Sequence, residues 1–266
     1  MKRLNEEVLP WVDQLVGEFG PVSLAEMDEV EFMNRTDTKF LMSSIRLPEL
    51  LRQALKHYRI LEIEGMRNFR YRTVYFDTKD FFLYEKHMKG KMNRYKIRHR
   101  MYEATGVSFL EIKLKNNKNR TIKWRIKNRL NNGLLDENGL AFLAKNIDID
   151  PKELLPMVEN HFNRVTLVSN QFKERVTIDF NLGFNSPQGI QCSLPFLAIV
   201  ELKRDGFSCR SPFISLLKQY NIREGGFSKY CVGSALLYDL PNQNQLKPKF
   251  LKLKKIEHDN NLVIVA

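Results

Sequence analysis

The chain has 266 residues, of which 43% are hydrophobic and 28% are charged, and this composition excludes a disordered chain. Its formal net charge of +12 favours an anionic partner, such as nucleic acid, a phosphorylated substrate or a membrane surface. Cys192, Cys209 and Cys231 form no CxxC motif, which argues against a disulfide framework or a zinc site. No segment has the apolar run of a signal peptide or the roughly 20 apolar residues of a membrane span. We therefore expect a soluble cytoplasmic protein.

The predicted elements are mostly strands, with short helices between them. Alternation of apolar and polar residues predicts strands at 35–42, 59–64, 69–77, 92–103, 107–116, 120–127, 162–169, 173–182 and 196–204. Helical periodicity and capping residues predict helices at 5–19, 47–58, 78–88, 136–145, 151–160, 212–220 and 229–238, with another short helix opened by a capping box at Ser23. We expect one domain over 1–266, with an N-terminal helical extension at 1–22 and a basic tail at 241–266 that forms a solvated surface segment.

One face of these strands is charged and mostly cationic. Residues 94–100 read RYKIRHR, and a strand sends alternate side chains to opposite faces. Four cations therefore share one face of this strand, and five other strands follow the same pattern. The charged positions are Arg94, Lys96, Arg98 and Arg100; Arg35, Asp37 and Lys39; Glu111, Lys113 and Lys115; Lys123, Arg125 and Lys127; Lys173, Arg175 and Asp179; Glu201 and Lys203.

Two architectures account for these faces. In an ordinary sandwich the apolar faces meet in the core and the charged faces meet water. In a barrel turned inside out, apolar residues pack outward against helices and the charged residues line the lumen. A cationic lumen requires a polyanion and a few carboxylates to neutralise it. Composition does not separate the two architectures.

The order of the motifs does separate them. The chain contains RTDTKF at 35–40, YFDT at 75–78, YKIRHR at 95–100, FLEIK at 109–113, HFNRV at 161–165, RVTID at 175–179, VELK at 200–203 and FSKY at 227–230. Together these motifs resemble the polyphosphate polymerase domain of the vacuolar transporter chaperone (VTC) family, in the triphosphate tunnel metalloenzyme superfamily. The resemblance extends from about Ser23 to about Leu237. It implies an α+β fold, in which a closed eight-stranded antiparallel barrel forms a tunnel with a charged lumen and is flanked by short helices.

The resemblance also implies a set of site residues. The catalytic cations would be Lys39, Arg98, Arg100, Lys113, Arg164 and Lys229. Additional substrate-binding cations would be Lys123, Arg125, Arg175 and Lys203, to which the alternation along 94–100 adds Lys96. One position departs from the family, because eukaryotic members have a lysine where this chain has Gly226. They also carry an N-terminal SPX domain, for which this chain has too few residues before the resemblance, so we expect no regulation by that route.

The candidate metal ligands are carboxylates. The family's metal-binding glutamate falls on Glu201, and Glu111 or Asp37 could complete a site for Mn²⁺ or Mg²⁺, which prefer hard oxygen ligands. Each of these acids lies two residues before a lysine and shares its strand face. The alternative interpretation is therefore a set of structural salt bridges.

Three functions follow from these expectations. The first is a polyphosphate polymerase that transfers the γ-phosphate of a nucleoside triphosphate to inorganic polyphosphate. The second is a tunnel triphosphatase that uses water as the acceptor, and the third is a non-catalytic polyanion-binding module. We prefer the polymerase because the motifs are most similar to it. Phe69, Tyr71 and Tyr75 are interpreted as core residues rather than a base-stacking platform, so no nucleic-acid partner is expected. A membrane-protein partner at the inner face of a membrane is compatible with this function.

Overall fold

The computed structural model describes residues 11–28, 35–118, 120–171, 173–205 and 211–265. Residues 5–10 of the predicted first helix and Cys209 lie outside the described residues. The strands are β1 Pro21–Val22, β2 Arg35–Ser43, β3 Tyr58–Leu61, β4 Phe69–Asp77, β5 Arg94–Tyr102, β6 Ser108–Lys115, β7 Thr121–Lys127, β8 Leu155–Ser169, β9 Glu174–Asn185, β10 Gln191–Leu194 and β11 Leu197–Asp205.

Helices join and cover these strands. They are α1 at 11–17, α2 Leu24–Asp28, α3 Leu47–Ala54, α4 Phe82–Met88, α5 Glu137–Asn146, α6 Pro212–Gln219, α7 Lys229–Leu237 and α8 Lys247–Val265. Short 3₁₀ helices span Ser44–Arg46, Pro151–Glu153 and Gln243–Leu246. Over the part of the chain that is described, none of the helices combines the length and the apolar character needed to cross a membrane.

The strands form one mainly antiparallel sheet. Its main path has the order β2-β11-β9-β8-β4-β5-β6-β7, which contains the eight strands expected of the barrel. Beside this path, β10 pairs with β9, β3 pairs with β8, and the short β1 pairs in parallel with β3. The α+β class is therefore confirmed.

The predicted closure of the barrel is wrong. Within the described residues β2 and β7 do not pair, so the sheet remains open between them. The free edge of β2 is instead covered by the segment before α7. Phe40 forms an isolated bridge with Glu224, and the backbone N–H of Gly225 donates to the carbonyl of Lys39 at 2.8 Å. This segment therefore takes the place of β7 beside β2 at Lys39 and Phe40.

The sheet is nevertheless strongly curved. Burial is the largest cause that lowers the pKa of Lys96 and Lys113 on the sixth and seventh strands of the path, and the positive charge of Lys39 on the first strand contributes to both shifts. Five strand spacings of about 4.8 Å would separate β2 from β5 in a flat sheet, well beyond the Debye length of about 8–10 Å. The two ends of the path therefore curl towards each other around a concave face.

The convex face is apolar and carries the helices. Val200 packs in one cluster with Leu50 of α3 and Phe213 of α6, whereas Ile97 and Ile112 pack in another with residues that include Leu143 of α5. Strand alternation places the charged neighbours of these residues on the concave face. The inside-out arrangement predicted for the strands is thus confirmed, although the sheet is open.

Apolar packing also fills one end of the concave face. Leu41, Ile199 and Phe162 each lie two residues from a charged position along their strand and join a buried cluster with Tyr230 of α7 and Leu253 of α8. The charged residues therefore occupy one half of a cleft whose other half is core.

Two predicted elements are wrong. The segment predicted as a helix at 151–160 forms a single 3₁₀ turn, and β8 already begins at Leu155. The basic tail at 241–266 is not a solvated segment, because most of it forms α8. Leu246, Leu253 and Ile256 recur at helical spacing and are buried, and Ser43 Oγ donates to Asn260 Oδ1 at 2.6 Å.

Candidate functional site

Strand register gathers the predicted residues on the concave face. Lys39 on β2 lies opposite Glu201 on β11, and their side chains form an ion pair of 3.2 Å. Two residues further along, Lys203 lies between Asp37 on β2 and Arg175 on β9. Burial lowers the pKa of Lys203 to about 8, although the negative charge of Glu201 opposes this shift. This side of the cleft is therefore cationic but contains counter-charges.

The opposite side contains a row of lysines. Lys96 on β5, Lys113 on β6 and Lys123 on β7 are in direct cross-strand register. Like charges in such positions destabilise a sheet. Burial, followed by the charges of Lys96, Lys123 and Lys39, lowers the pKa of Lys113 to about 8. A bound polyanion would relieve this repulsion.

The two arginines beside this row differ in their partners. Arg98 Nε donates to Glu111 Oε2 at 2.5 Å, and Glu111 also faces Arg125 on β7. The Nε of Arg100 is buried and has no hydrogen-bond partner among the described residues. The Arg100 guanidinium instead lies 5.7 Å from the centre of the Tyr71 ring. An unsatisfied buried donor is costly, so Arg100 is poised to bind an anion.

Asp179 on β9 is a carboxylate at the centre of the charged cluster, and it is not among the predicted site residues. Its carboxylate accepts two hydrogen bonds from Arg164, from Nε at 2.5 Å and from Nη2 at 2.8 Å, and it also contacts Lys229 Nζ. The Asp179 side chain is only 5% exposed. Burial alone would raise the pKa of Asp179, but Arg164 and Lys229 outweigh it and hold that pKa well below its usual range. The available sequence signal is that Asp179 shares a strand face with Arg175.

Helix α7 delivers Lys229 to this cluster. Ser228 caps the helix by accepting from the N–H of Cys231, and it also accepts from Lys96 Nζ at 3.0 Å. Gly233 lets α7 approach β9, since a Cβ there would lie 2.5 Å from the Phe184 ring. Burial lowers the pKa of Lys229 to about 8, with Asp179 opposing the shift. The helix predicted at 229–238 is confirmed, and it begins directly after Ser228.

Buried aromatic rings support the arginines. Phe69, Tyr71 and Tyr75 are buried, as predicted. Tyr71 stacks on Phe162, and the guanidinium of Arg164 lies 5.1 Å from the centre of the Tyr71 ring. These rings fix the cations that lie over them rather than offering an exposed surface for bases.

The carboxylates do not form a metal cage. Within the described part of the chain, no three Asp, Glu, His or Cys side chains come together in a way that could hold a metal ion. Glu111 is paired with Arg98 and Glu201 with Lys39, while Asp37 lies diagonally from Glu201 on the neighbouring strand. Mg²⁺ commonly uses one or two protein carboxylates and completes its shell with water and substrate phosphates. Glu201 fits that role, whereas a site built only from protein ligands does not fit.

One family model matches this chain. It is described as the VTC domain, and it matches residues 34–238. These residues include all the strands that carry the cationic side chains described above. No curated protein matches the chain.

Several solved structures are similar at low identity. A putative adenylyl cyclase from Hippeastrum with a dominant triphosphatase activity is 15% identical, with 79% of this chain and 99% of that chain covered and a TM-score of 0.48. A putative adenylate cyclase from Bacillus halodurans is 18% identical, with 74% and 96% covered and a TM-score of 0.45. One from Vibrio parahaemolyticus is 12% identical, with 76% and 99% covered and a TM-score of 0.44.

Proposed function

The chain belongs to the VTC domain family, and we propose that it transfers the γ-phosphate of a nucleoside triphosphate to a growing inorganic polyphosphate chain. The lysine row formed by Lys96, Lys113 and Lys123, faced by Lys39, is the observation that carries this proposal. These lysines extend over several strands, so they suit a linear polyanion better than a single phosphate.

The residues would act by positioning and charge neutralisation. Phosphoryl transfer requires little covalent help from a protein, because the main task is to hold the reacting groups in line and stabilise their oxygens. Arg98 and Arg100 can contact phosphate oxygens through their planar guanidinium groups, whereas Lys96 and Lys113 supply adjustable point charges. Asp179 neutralises Arg164 and Lys229 before any substrate arrives.

A divalent cation would enter with the substrate. Glu201 would hold Mg²⁺ or Mn²⁺ together with phosphate oxygens, and Asp37 lies near enough along the sheet to contribute through water. Such an ion neutralises phosphate charge. The protein residues around it bind and orient the two phosphate groups.

The same residues would serve a triphosphatase, in which water replaces the polyphosphate acceptor, or a module that only binds polyphosphate. Residue types do not separate these functions, but their products do. In this proposal the partners are a nucleoside triphosphate and polyphosphate, in the cytoplasm. A membrane protein that takes up the product at the inner face of a membrane remains a prediction, which cell fractionation would test.

The test is to incubate the pure protein with ATP and Mn²⁺, then stain a gel for polyphosphate and measure free phosphate. Polyphosphate ladders support the polymerase. Free phosphate without polyphosphate would indicate a triphosphatase. The absence of both products would indicate a module that only binds polyphosphate.

The matched variants are Glu201→Gln and Glu153→Gln. We expect Glu201→Gln to lower turnover by about a hundredfold or more, as loss of a key electrostatic contact does, and to retain the wild-type melting temperature. Glu153 is an exposed carboxylate beside Leu154 of the convex face, so its substitution should leave turnover unchanged. Equal turnover in both variants would mean that Glu201 only forms a structural ion pair with Lys39.

A further inference from the structure

A cavity of about 640 Å³ lies outside the cationic cleft. We call it the outer cavity. Its wall is formed by the convex side of β4 and β5, the loop after β7, the start of β8 and the end of β9. The lining includes Arg72, Val74, His99, Met101, Arg129 and Leu130. His99 and Met101 alternate along β5 with Arg98 and Arg100, so the outer cavity is separated from the cleft by the thickness of the sheet.

His99 presents an unused acceptor to this cavity. The residue is only 6% exposed, and its Nε2 lies 2.9 Å from the carbonyl oxygen of Asn128. A carbonyl can only accept, so Nε2 carries the hydrogen. With the hydrogen on Nε2, the neutral ring has its lone pair on Nδ1, and burial lowers the pKa of His99 and so favours this neutral form. The hydrogen bond of the ring to the protein is made through Nε2, so Nδ1 is available to accept one from a molecule in the cavity that His99 lines.

The cavity also contains one cation without a counter-charge. Arg72 Nη2 is bonded to Glu159 at 2.6 Å, and the side-chain amide of Asn185 contacts the same carboxylate. Arg129 forms no ion pair within the part of the chain that the structure describes and is exposed at the rim. Val74 supplies an apolar wall between these polar groups.

We propose that the outer cavity binds a small aromatic monoanion that also carries a hydrogen-bond donor. The anionic group pairs with Arg129, the donor bonds to His99 Nδ1, and the ring packs against Val74, Met101 and Leu130. The volume lies within the range of about 300–1,000 Å³ typical of small-molecule sites, which combine apolar walls with a few convergent polar groups. The alternative is that His99 has only a structural role and links β5 to the loop after β7. That role uses Nε2 alone and needs neither the cavity nor Arg129.

The probe is 8-anilinonaphthalene-1-sulfonate, which has aromatic rings, one sulfonate and one N–H donor. Its fluorescence is titrated with the whole protein and with two charge-reversal variants. We expect saturable binding at one site and at least a tenfold loss of affinity in Arg129→Glu. Arg120→Glu makes the same charge change at an exposed position outside the cavity and should retain wild-type affinity. Equal affinities in the two variants, or no saturable binding, would overturn the proposal.

A second variant tests occupancy directly. Met101→Trp enlarges a side chain in the cavity wall and should abolish probe binding, while tripolyphosphate still raises the melting temperature of a folded variant. Should Met101→Trp fail to fold, Arg129→Glu alone decides the outcome. Because the probe is anionic, it is also competed with tripolyphosphate. Displacement by tripolyphosphate would place the probe on the concave face and contradict the proposal, whereas simultaneous binding supports it.

Discussion

At Asp179, one buried carboxylate neutralises two cations. Removing one partner of a buried ion pair leaves uncompensated charge, which typically costs about 3–5 kcal/mol. We therefore expect Asp179→Asn to lower the free energy of unfolding by about this amount in urea titrations, because Arg164 and Lys229 then repel each other. Asp37→Asn is the matched control, since Asp37 is exposed and surface pairs contribute only about 0–1 kcal/mol.

Although Asp179→Asn should be less stable than the wild type, tripolyphosphate should stabilise this variant more. Tripolyphosphate supplies the negative charge that the variant lacks, so the ligand should raise its melting temperature more than that of the wild type. A smaller shift would mean that Asp179 positions the two cations for phosphate rather than merely neutralising them.

The depressed pKa of Asp179 also makes the stability of the protein depend on pH in acid. The contribution of Asp179 to the free energy of unfolding is complete when the pH is above the pKa of the unfolded carboxyl, about 3.8–3.9. It is lost as the pH falls through the lower pKa of the folded state.

Along β5, the response to tripolyphosphate should alternate from residue to residue. Arg98→Ala or Arg100→Ala removes charge-assisted contacts of about 1.5–3 kcal/mol, which is about a ten- to hundredfold loss of affinity. The shift in melting temperature should therefore be smaller in both variants. His99→Ala, on the convex face, should show the wild-type shift whatever its own stability. Equal shifts in all four proteins would mean that the arginines face water rather than phosphate.

These residues differ in how far the sequence could predict them. Alternation along single strands is enough to place Arg98, Arg100 and Lys39 on one charged face. The role of Asp179 depends on the register between β8 and β9 and on a helix fifty residues later, and neither is encoded in the local pattern. Pairing between distant segments is therefore the information that the sequence alone lacks.

At the scale of elements, the errors at 151–160 and at α8 have different causes. Pro151 and the capping residue Asp150 are good helix-start signals, but only one 3₁₀ turn follows before the alternating pattern of β8 takes over. In the C-terminal segment the lysines dominate the composition and obscure a buried series, which includes Leu246 just before α8 and Leu253 and Ile256 within it. In both segments the spacing of apolar residues predicts the structure better than the helix-start signals or the composition do.

Helix α8 should contribute substantially to stability. Leu253 is 5% exposed in the cluster that fills one end of the concave face, and Leu→Ala at such sites costs about 2–5 kcal/mol. We expect this loss in Leu253→Ala by urea unfolding. Leu251→Ala, two residues away and 67% exposed, should change the free energy of unfolding by no more than about 0.5 kcal/mol. Similar values for the two variants would show that α8 does not dock in solution.

For the whole molecule, the inside-out arrangement was predictable but the open sheet was not. Six strands with one charged and one apolar face already favour a sheet that packs its helices outside. Closure depends instead on what reaches the edge of β2, and here the segment containing Glu224 and Gly225 occupies it. That competition between two distant segments leaves no trace in the periodicity of either strand.

The melting temperature of the ligand-free protein and the shift caused by tripolyphosphate should change in opposite directions with pH. Burial lowers the pKa of Lys203 and Lys229 to about 8, below the value of about 10.4 for an unfolded lysine. Between these values the unfolded chain binds more protons, so stability rises with pH. The same loss of protons weakens phosphate binding. From about pH 7.5 to about pH 9.5, the ligand-free melting temperature should rise and the shift caused by tripolyphosphate should shrink.

Two features define the window and the control for this experiment. Burial raises the pKa of Tyr58 and Tyr230, so both oppose the trend above about pH 10, where an unfolded tyrosine ionises. Lys203→Gln removes one of the titrating groups and should flatten the rise in stability. Lys254→Gln removes the same charge from the exposed surface of α8 and should leave the slope unchanged. A wild-type slope in Lys203→Gln, or a tripolyphosphate shift that stays constant across the window, would mean that the buried lysines keep their protons and that arginines alone bind the phosphates.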